Sequence, residues 1–187
     1  MKTIHFVTKN KHKAQEVKEI LAKFKIEIKQ LEIEKIEPKD FSVEQVAKTA
    51  AETIANETKL PIVLEDTGIY FEAYNNFPGP LPKFIHEGIG FDGIFRLLKD
   101  KNRNAYFKTI TAYCEPGKEA VLFEGKMKGK ITEEIINKDK DVMVYEKIFI
   151  PANYDITLSD MSREEKNNIS HRFLAFKKFG EWFENRN

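Results

Sequence analysis

Short apolar runs alternate with amphipathic segments along the first third of the chain, and this alternation restricts the possible folds more than any other feature. The runs at residues 4–7, 26–31 and 60–64 have the length and composition of buried strands. Between them, residues 14–24 and 43–58 carry apolar side chains at helical spacing, which predicts two helices. This order is typical of α/β folds, in which helices cover a central sheet.

The rest of the chain predicts strands of a different kind. Residues 105–114, 119–124 and 130–136 alternate between apolar and polar side chains, as antiparallel strands do. We further predict a loop at 75–82, a helix at 93–99, a last strand at 145–150, a helix opened by a Ser162–Glu165 capping box, and a C-terminal helix from Ser170 onward. The whole pattern indicates an α/β protein with a mixed central sheet flanked by helices, in a single domain over residues 1–187.

Charge and cysteine content argue against several classes of protein. The 187 residues include 31 basic and 30 acidic side chains, and a formal charge of +1 argues against a protein built to coat nucleic acid. The single cysteine, Cys114, leaves no internal disulfide, which is typical of a reducing compartment. No apolar stretch approaches the roughly 20 residues of a membrane-spanning helix, and the N-terminal apolar run is too short for a secretory signal. We therefore expect a cytoplasmic protein that binds neither nucleic acid nor membrane.

A polar loop joins the first predicted strand to the first helix. It consists of Thr8, Lys9, Asn10, Lys11, His12 and Lys13. A strand-to-helix turn presents free backbone N–H groups and the positive end of the helix dipole at one place, so it suits a polyphosphate. Thr8 and Asn10 can donate hydrogen bonds there, and Lys13 adds a full positive charge. The alternative is that Asn10 caps the helix and the lysines are solvated; the glycines of a P-loop are absent.

The second candidate is an acidic motif. Glu65, Asp66, Thr67 and Gly68 follow the apolar run 60–64, so we expect them at the C-terminal end of a buried strand, where α/β proteins often carry functional groups. Two adjacent carboxylates cannot both face a core unpaired, and at least one needs solvent, a cation or a metal. Near phosphates, such hard oxygen ligands favour Mg²⁺. An ordinary acidic turn closed by Gly68 is the alternative.

A third polar group lies near the C-terminus. Lys166 stands four residues before Ser170, and His171 and Arg172 follow, so one surface can present Lys, His and Arg together. Arginine is a planar donor for oxygen acceptors, and histidine can donate or accept. The alternative is a charged junction between two helices.

Four motifs together resemble the inosine/xanthosine triphosphate pyrophosphatase family, in order and spacing over essentially the whole chain. They are Thr8-x-Asn10-x-x-Lys13, Glu65-Asp66-Thr67-Gly68, Phe77-Pro78-Gly79 and Glu164-Glu165-Lys166-Asn167-x-x-Ser170-His171-Arg172. The resemblance implies an elongated mixed α/β fold with two lobes and a cleft between them, in a cytoplasmic, Mg²⁺-dependent homodimer. It also implies hydrolysis of 6-oxo purine nucleotides (ITP, dITP and XTP) to the monophosphate and pyrophosphate.

The resemblance implies a role for each matching residue. Asp66 is expected to bind the metal and to orient or deprotonate the attacking water, with Glu37 or Glu65 as the second metal ligand. Lys13 is expected to stabilise the negative charge of the leaving pyrophosphate. The residues implied to bind substrate are Thr8, Lys9, Asn10, Lys11, His12, Lys13, Thr67, Tyr145, Glu146, Lys166, His171 and Arg172. Among them, Arg172 has only N–H donors and can pair with purine O6, where adenine presents an amino group.

Two stretches depart from the family pattern. The family's glycine-rich Phe-Gly-Tyr-Asp-Pro run is here Met143-Val144-Tyr145-Glu146-Lys147, and Pro80-Leu81-Pro82-Lys83 replaces small and hydroxylated residues. Val144 removes conformations with positive φ, and Glu146 is one methylene longer than aspartate. These changes leave two alternatives open: a nucleotide-binding protein of the same fold with impaired catalysis, and a pyrophosphatase with shifted base specificity.

Overall fold

The strand and helix pattern of the sequence becomes one mixed sheet with helices on both faces. The computed structural model describes residues 2–34, 42–75 and 77–186. Its strands are β1 (Lys2–Val7), β2 (Ile26–Leu31), β3 (Ile62–Phe71), β4 (Pro78–Gly79), β5 (Asn104–Cys114), β6 (Val121–Ile131) and β7 (Phe149–Pro151). Its helices are α1 (Lys11–Ala22), α2 (Val43–Thr58), α3 (Pro82–Leu97), α4 (Arg163–Ile169) and α5 (His171–Glu184).

The strands lie in the order β2-β1-β3-β5-β6-β7, and β4 pairs with β3 outside this path. β1 runs parallel to β2 and β3. From β3 onward each strand is antiparallel to the next, through β5 and β6 to β7. The predicted mixed α/β fold is therefore confirmed, with its parallel part formed by the first third of the chain.

Two hydrophobic clusters lie on opposite faces of β3 and β5. On one face α2 packs residues such as Ala51 against Leu64, and on the other α1 and α5 pack residues such as Phe176 against Val63. The separation follows from strand geometry, because consecutive side chains point to opposite faces. A fully buried phenylalanine such as Phe176 stabilises the fold by about 2 kcal/mol. A third cluster covers the far end of the sheet, where α3 packs Ile94 beside β5 and β6.

Capping side chains set where several helices begin. Ser170 Oγ accepts from the amide of Phe173 at 3.0 Å and opens α5. In the predicted capping box, Ser162 Oγ accepts from the Glu165 amide at 3.2 Å and the Glu165 carboxylate accepts from the Ser162 amide at 2.7 Å. Both predicted helix starts are confirmed, and so are the bounds of α2. Within the described residues, no helix is both long and apolar enough to cross a membrane.

Four element predictions are wrong. The strand predicted to end at residue 64 continues to Phe71, so the acidic motif is neither at a strand end nor in a turn. Residues 119–124 and 130–136 were predicted as two strands, but β6 is a single strand that ends at Ile131. Residues 145–150 begin as a 3₁₀ turn at Val144–Lys147 and become extended only in β7. The helix predicted at 93–99 begins at Pro82.

Glycines account for part of these errors. A Cβ on Gly68 would lie 2.6 Å from the carbonyl oxygen of Gly79, so this glycine allows β4 to approach β3 and does not mark a turn. A Cβ on Gly125 in β6 would lie 2.0 Å from the carbonyl oxygen of His171, where α5 crosses the strand. Gly90 has φ 62° and kinks α3, which separates the predicted half of the helix from the half that was missed.

Candidate active site

The predicted phosphate loop and the predicted acidic motif meet at one edge of β3. β1 pairs with this edge up to Val63, and β4 pairs with it from Ile69. Between them, no strand in the described residues pairs with this edge at positions 64–68. The loop that follows β1 reaches this open stretch, and Nζ of Lys13 lies 2.8 Å from Oε1 of Glu65. Two motifs that are about fifty residues apart in sequence are thus in contact.

Hydrogen bonds give the phosphate loop a defined shape. The Thr8 amide donates to the Leu31 carbonyl at 3.0 Å, and Thr8 Oγ1 accepts from the Asn10 amide at 3.1 Å. The Asn10 side chain accepts from the Lys13 amide at 3.1 Å and caps α1. The capping role of Asn10 is confirmed. It holds the N-terminus of α1 and Lys13 beside the open edge of β3, an arrangement that suits an anion.

The other side chains of the loop lie further out. Lys9 is exposed and pairs with Glu34 at 3.2 Å, and Nε2 of His12 lies 3.2 Å from a carboxylate oxygen of Asp141. Lys11 is exposed as well. Surface pairs of this kind contribute at most about 1 kcal/mol, so a polyphosphate could displace them at little cost. The substrate contacts expected for these three residues stay predictions.

Glu65 and Asp66 point to opposite faces of the sheet. Glu65 lies opposite Thr111 on β5, on the face that α1 and α5 cover. Asp66 lies opposite Ile110, on the face that α2 covers. Both are buried, with 2% and 8% exposure respectively. Adjacent in sequence, the two carboxylates therefore lie in separate environments, as the alternation of side chains along a strand requires.

Glu65 is the centre of a buried ion network. Arg172 donates to it twice, from Nε to Oε2 at 2.8 Å and from Nη2 to Oε1 at 3.0 Å. The Nη1 of Arg172 donates to Glu16 Oε2 at 2.7 Å. Burial by itself raises the pKa of Glu65, but the charges of Arg172 and Lys13 outweigh it and hold that pKa far below its usual range. Burial likewise lowers the pKa of Arg172, and the two glutamates more than restore it, so the guanidinium stays charged.

A second buried pair adjoins this network. Nζ of Lys166 donates to Oε2 of Glu146 at 2.8 Å and lies 3.9 Å from Oε1 of Glu16. Lys166 and Glu146 are only 8% and 7% exposed. Burial raises the pKa of Glu146 above its usual value even though Lys166 opposes the shift. Glu16 therefore links α1 to both α4 and α5 through their cations.

His171 is held in its neutral form. Its ring stacks on Phe107 with centroids 4.5 Å apart and an interplanar angle of 12°. Burial, assisted by the charge of Arg172, lowers the pKa of His171 well below its usual value. Its Nδ1 is buried and has no hydrogen-bond partner among the described residues. A neutral imidazole carries one donor and one acceptor, so this ring can still serve a polar group of a ligand.

Two further predicted substrate residues have protein partners. Thr67 Oγ1 lies 2.7 Å from Thr109 Oγ1, which orients its hydroxyl toward β5. Tyr145 lies in the 3₁₀ turn, packs in the cluster under α3, and donates from its hydroxyl to the Pro82 carbonyl at 2.9 Å. The tyrosine thus supports the segment that carries Glu146. Its stacking on a purine stays a prediction.

Of the predicted metal ligands, Asp66 and Glu65 lie in the described part of the chain. There, no group of three or more His, Cys, Asp and Glu side chains could hold an ion. Glu37, one of the two proposed second ligands, lies outside the described residues. Both oxygens of Glu65, the other candidate, are bonded to cations. Mg²⁺ typically binds one or two carboxylates, keeps several waters and takes substrate phosphates, so the carboxylate of Asp66 fits this ion.

Glu16 is the site residue that the sequence analysis missed. It lies on α1 beside Val17 and four residues before Ile20, which places an acidic residue on the helix face that carries these buried apolar side chains. A charged residue at such a position needs a buried partner, and this was the available signal. The predicted residues that the structure joins with Glu16 in one ion network are Lys13, Glu65, Glu146, Lys166 and Arg172. His171 lies beside this network, and Asp66 lies on the other face of the sheet. Lys9, Lys11 and His12 lie outside it.

A helix N-terminus with a lysine beside it attracts anions such as phosphate, so the loop after β1 is a candidate phosphate-binding site. The chain belongs to the Ham1 family, whose model matches residues 4–182. It is similar to the dITP/XTP pyrophosphatase of Methanopyrus kandleri, with 38% identity over 181 residues that cover 96% of this chain and 95% of the relative. The dITP/XTP pyrophosphatase of Saccharolobus solfataricus is 40% identical over 182 residues, covering 97% and 93% of the two chains.

Solved structures agree with the fold. A HAM1 protein from Coxiella burnetii superposes with a TM-score of 0.84 at 23% identity, over 100% of both chains. The nucleoside-triphosphatase/dITP/XTP pyrophosphatase of Mycobacterium abscessus superposes with a TM-score of 0.72 at 26% identity, over 95% of this chain and 97% of that one. The resemblance that the four motifs indicated is confirmed.

Proposed function

We propose that this protein hydrolyses ITP, dITP and XTP to the monophosphate and pyrophosphate, and so removes them from the nucleotide pool. The observation that carries the proposal is the contact between the loop bearing Lys13 and the acidic motif of β3. This chain is also 38% identical, over nearly its full length, to a dITP/XTP pyrophosphatase. A nucleotide-binding protein without turnover is the alternative, and the retained carboxylate of Asp66 favours the enzyme.

The phosphate chain would bind at the N-terminus of α1. Backbone N–H groups of the loop and the positive end of the helix attract the phosphates, and Lys13 adds a cation that is already held at the edge of β3. Charge grows on the leaving pyrophosphate as the bond to the α-phosphate breaks. The ammonium of Lys13 stabilises this charge without having to be moved into place.

Asp66 would act on the attacking water. Its carboxylate accepts a hydrogen bond from the water and orients it toward the α-phosphate, then takes the proton as the bond forms. Mg²⁺, when bound to Asp66 and the phosphates, would neutralise phosphate charge and lower the pKa of a coordinated water. Glu37 is proposed as a second ligand for this ion, by its place in the family pattern.

Lys166 and Glu146 would read the base. An ammonium has three N–H donors and a carboxylate has two acceptor oxygens, so their mutual bond at 2.8 Å leaves capacity on both. Hypoxanthine and xanthine present an O6 acceptor beside an N1–H donor, which matches this pair. Adenine presents an amino donor and a bare N1, so both contacts fail, and buried mismatches of this kind can discriminate by about 10⁴.

This assignment prefers Lys166 over Arg172 as the partner of O6. Arg172 is 1% exposed and already donates three hydrogen bonds to Glu65 and Glu16. Its neighbour His171 has a ring nitrogen, Nδ1, with no hydrogen-bond partner among the described residues, and is proposed as the second contact with the base. Guanine presents the same O6 and N1–H, so the pair predicts discrimination against ATP and leaves discrimination against GTP to other groups.

We also propose a cytoplasmic homodimer. Leu81, Phe84, Ile89 and Val144 are large apolar side chains with exposed fractions of 43%, 69%, 42% and 39%. Apolar surface of this kind favours a protein partner, and a second copy of the chain can cover it about a twofold axis. Cytoplasmic location is proposed from the single buried cysteine, Cys114, and from a substrate class that belongs to the nucleotide pool.

The proposal is tested by following pyrophosphate release from ITP, dITP, XTP, GTP and ATP with Mg²⁺. Each product is identified as mono- or diphosphate. We expect monophosphate and pyrophosphate from ITP, dITP and XTP, with ATP slow. Hydrolysis of a nucleotide with another base would support the reaction but indicate a different base specificity. Tight binding of every nucleotide without turnover would favour a nucleotide-binding protein with impaired catalysis.

A further inference from the structure

Glu65 has no role in the proposed catalytic mechanism, although it is one of the most deeply buried charged residues in the described chain. It is 2% exposed and lies on the sheet face away from Asp66. Burying a carboxylate is costly unless charged partners compensate it. Its partners come from two other elements, α1 and α5, and both carry residues of the candidate active site. This arrangement indicates a function for the carboxylate beyond filling space.

The geometry of the contact is directional. The guanidinium of Arg172 donates hydrogen bonds to both oxygens of the Glu65 carboxylate, at 2.8 Å and 3.0 Å, and so fixes the plane of the carboxylate. In this orientation Oε1 also accepts from Lys13 at 2.8 Å. Glu16 holds the guanidinium from its other side at 2.7 Å. The chain of contacts runs from Glu16 through Arg172 and Glu65 to the ammonium of Lys13.

We propose that Glu65 is a positioning residue that fixes the ammonium of Lys13 for the phosphate chain, and that it acts on the substrate through Lys13 and not as a metal ligand. This inference rests on the proposed function, because the task of Lys13 is to bind phosphate. It divides the acidic motif into two parts. Asp66 binds the metal and orients the water on one face of β3. Glu65 fixes the ammonium of Lys13 from the other face.

The physical reason is preorganisation. The side chain of Lys13 is 22% exposed, so without Glu65 its ammonium can turn toward solvent. Loss of the negative charge also leaves the cations of Lys13 and Arg172 facing each other at close range, and their repulsion favours that movement. The substrate must then order Lys13 when it binds, so the cost appears mainly in KM.

Glu65→Gln is the test variant, because it keeps the shape of the side chain and removes the charge. Glu124→Gln is the matched control, since it removes one charge from an exposed residue of β6. We expect E65Q to raise KM for ITP about tenfold or more, with a smaller effect on kcat and an unchanged Mg²⁺ concentration for half-maximal rate. E124Q should change neither constant by more than about twofold.

A double-mutant cycle with Lys13 tests whether the effect of Glu65 on KM depends on Lys13. If Glu65 acts through Lys13, then adding Glu65→Gln to Lys13→Met should raise KM by much less than it does in the wild-type background. Full additivity would overturn the proposal. So would a raised Mg²⁺ requirement with KM unchanged, which is the behaviour of a metal ligand.

A measurement without turnover distinguishes failure of this inference from failure of the proposed function. Acylation of lysine amines in the unliganded protein, read by mass spectrometry, reports how firmly each ammonium is held. Lys13 should react faster in E65Q than in wild type or E124Q, whichever nucleotide the protein hydrolyses. Equal reactivity in the three proteins would refute the positioning role.

A conservative variant covers the case in which E65Q does not fold, as judged by circular dichroism. Glu65→Asp keeps the charge but is one methylene shorter, so it cannot hold Arg172 and Lys13 at their present distances together. We expect intermediate Lys13 reactivity and an intermediate KM for E65D. Wild-type values of both for this variant would also contradict the proposal.

Discussion

Replacing Arg172 with methionine should destabilise the protein strongly, because it removes the cation that two buried carboxylates share. Methionine retains the apolar part of the side chain, but Glu65 and Glu16, which are 2% and 5% exposed, lose bonds of 2.7 to 3.0 Å. Removing one partner of a buried ion pair typically costs about 3–5 kcal/mol. Lys13 still neutralises Glu65, so we expect about 3 kcal/mol, or a fall of roughly 10 °C in melting temperature for a chain of this length.

The loss of stability in the Arg172→Met variant (R172M) should depend on pH. In wild type the folded pKa of Glu65 lies far below its ordinary value of 4.5, so its contribution is complete above pH 4.5 and is lost as the pH falls through the folded pKa. Without Arg172, the folded pKa of Glu65 rises because the cation that binds both of its oxygens is gone. The stability difference between wild type and R172M should therefore be largest at neutral pH and shrink below about pH 4.5.

Urea unfolding followed by circular dichroism, at pH 7 and at pH 4, measures both effects. Lys177→Met is the matched control, since it removes an α5 cation whose side chain is 50% exposed. The double variant R172M/E16Q should be more stable than R172M, because it leaves the balanced pairs Lys13–Glu65 and Lys166–Glu146. A loss below about 1 kcal/mol in R172M, as for a surface pair, would refute the reasoning, and so would no recovery in the double variant.

Three further outcomes are expected. Asp66→Asn should lower turnover about a hundredfold or more while the circular dichroism spectrum stays unchanged; the surface control Asp155→Asn should be as active as wild type. Lys166→Met should lower the ratio of ITP to ATP hydrolysis, and an unchanged ratio would remove Lys166 from base recognition. Phe84→Glu should convert the proposed dimer to a monomer in light scattering after size exclusion, and a wild-type chain that is already monomeric would contradict the dimer.

Local signals in the sequence were sufficient for much of the fold. α2 begins and ends where its apolar spacing predicted, and the capping box at Ser162 opens α4. The parallel strands were recognised because they are continuous apolar runs. These elements share one property: the side chains that determine them are close together in sequence.

The errors arose where distant parts of the chain decide the local structure. Glu65 and Asp66 interrupt an apolar run and look like the end of a strand, yet β3 continues because β5 pairs with it along its whole length. Gly125 and Gly129 divide β6 in the sequence pattern. In the structure they admit backbone from α5 and β7, since a Cβ on Gly129 would lie 2.2 Å from the carbonyl oxygen of Ile150.

The site was predicted as a set of residue types and not as a set of contacts. The sequence indicated that Lys13, Glu65 and Arg172 belong to a polar site, but Arg172 meets Glu65 across 107 positions and Glu16 across 156. No periodicity carries information over such separations. Nor did the sequence reveal that Glu65 and Asp66 act on different faces, because that conclusion required knowing that the motif lies inside a strand.

Hydrolysis of ITP in ¹⁸O-labelled water, with the products resolved by mass spectrometry, shows which phosphorus atom the water attacks. We expect one ¹⁸O atom in inosine monophosphate and none in pyrophosphate, because the water oriented by Asp66 attacks the α-phosphate. Label in pyrophosphate would place the attack on the β-phosphate. Inosine diphosphate with labelled inorganic phosphate would contradict the proposed reaction altogether.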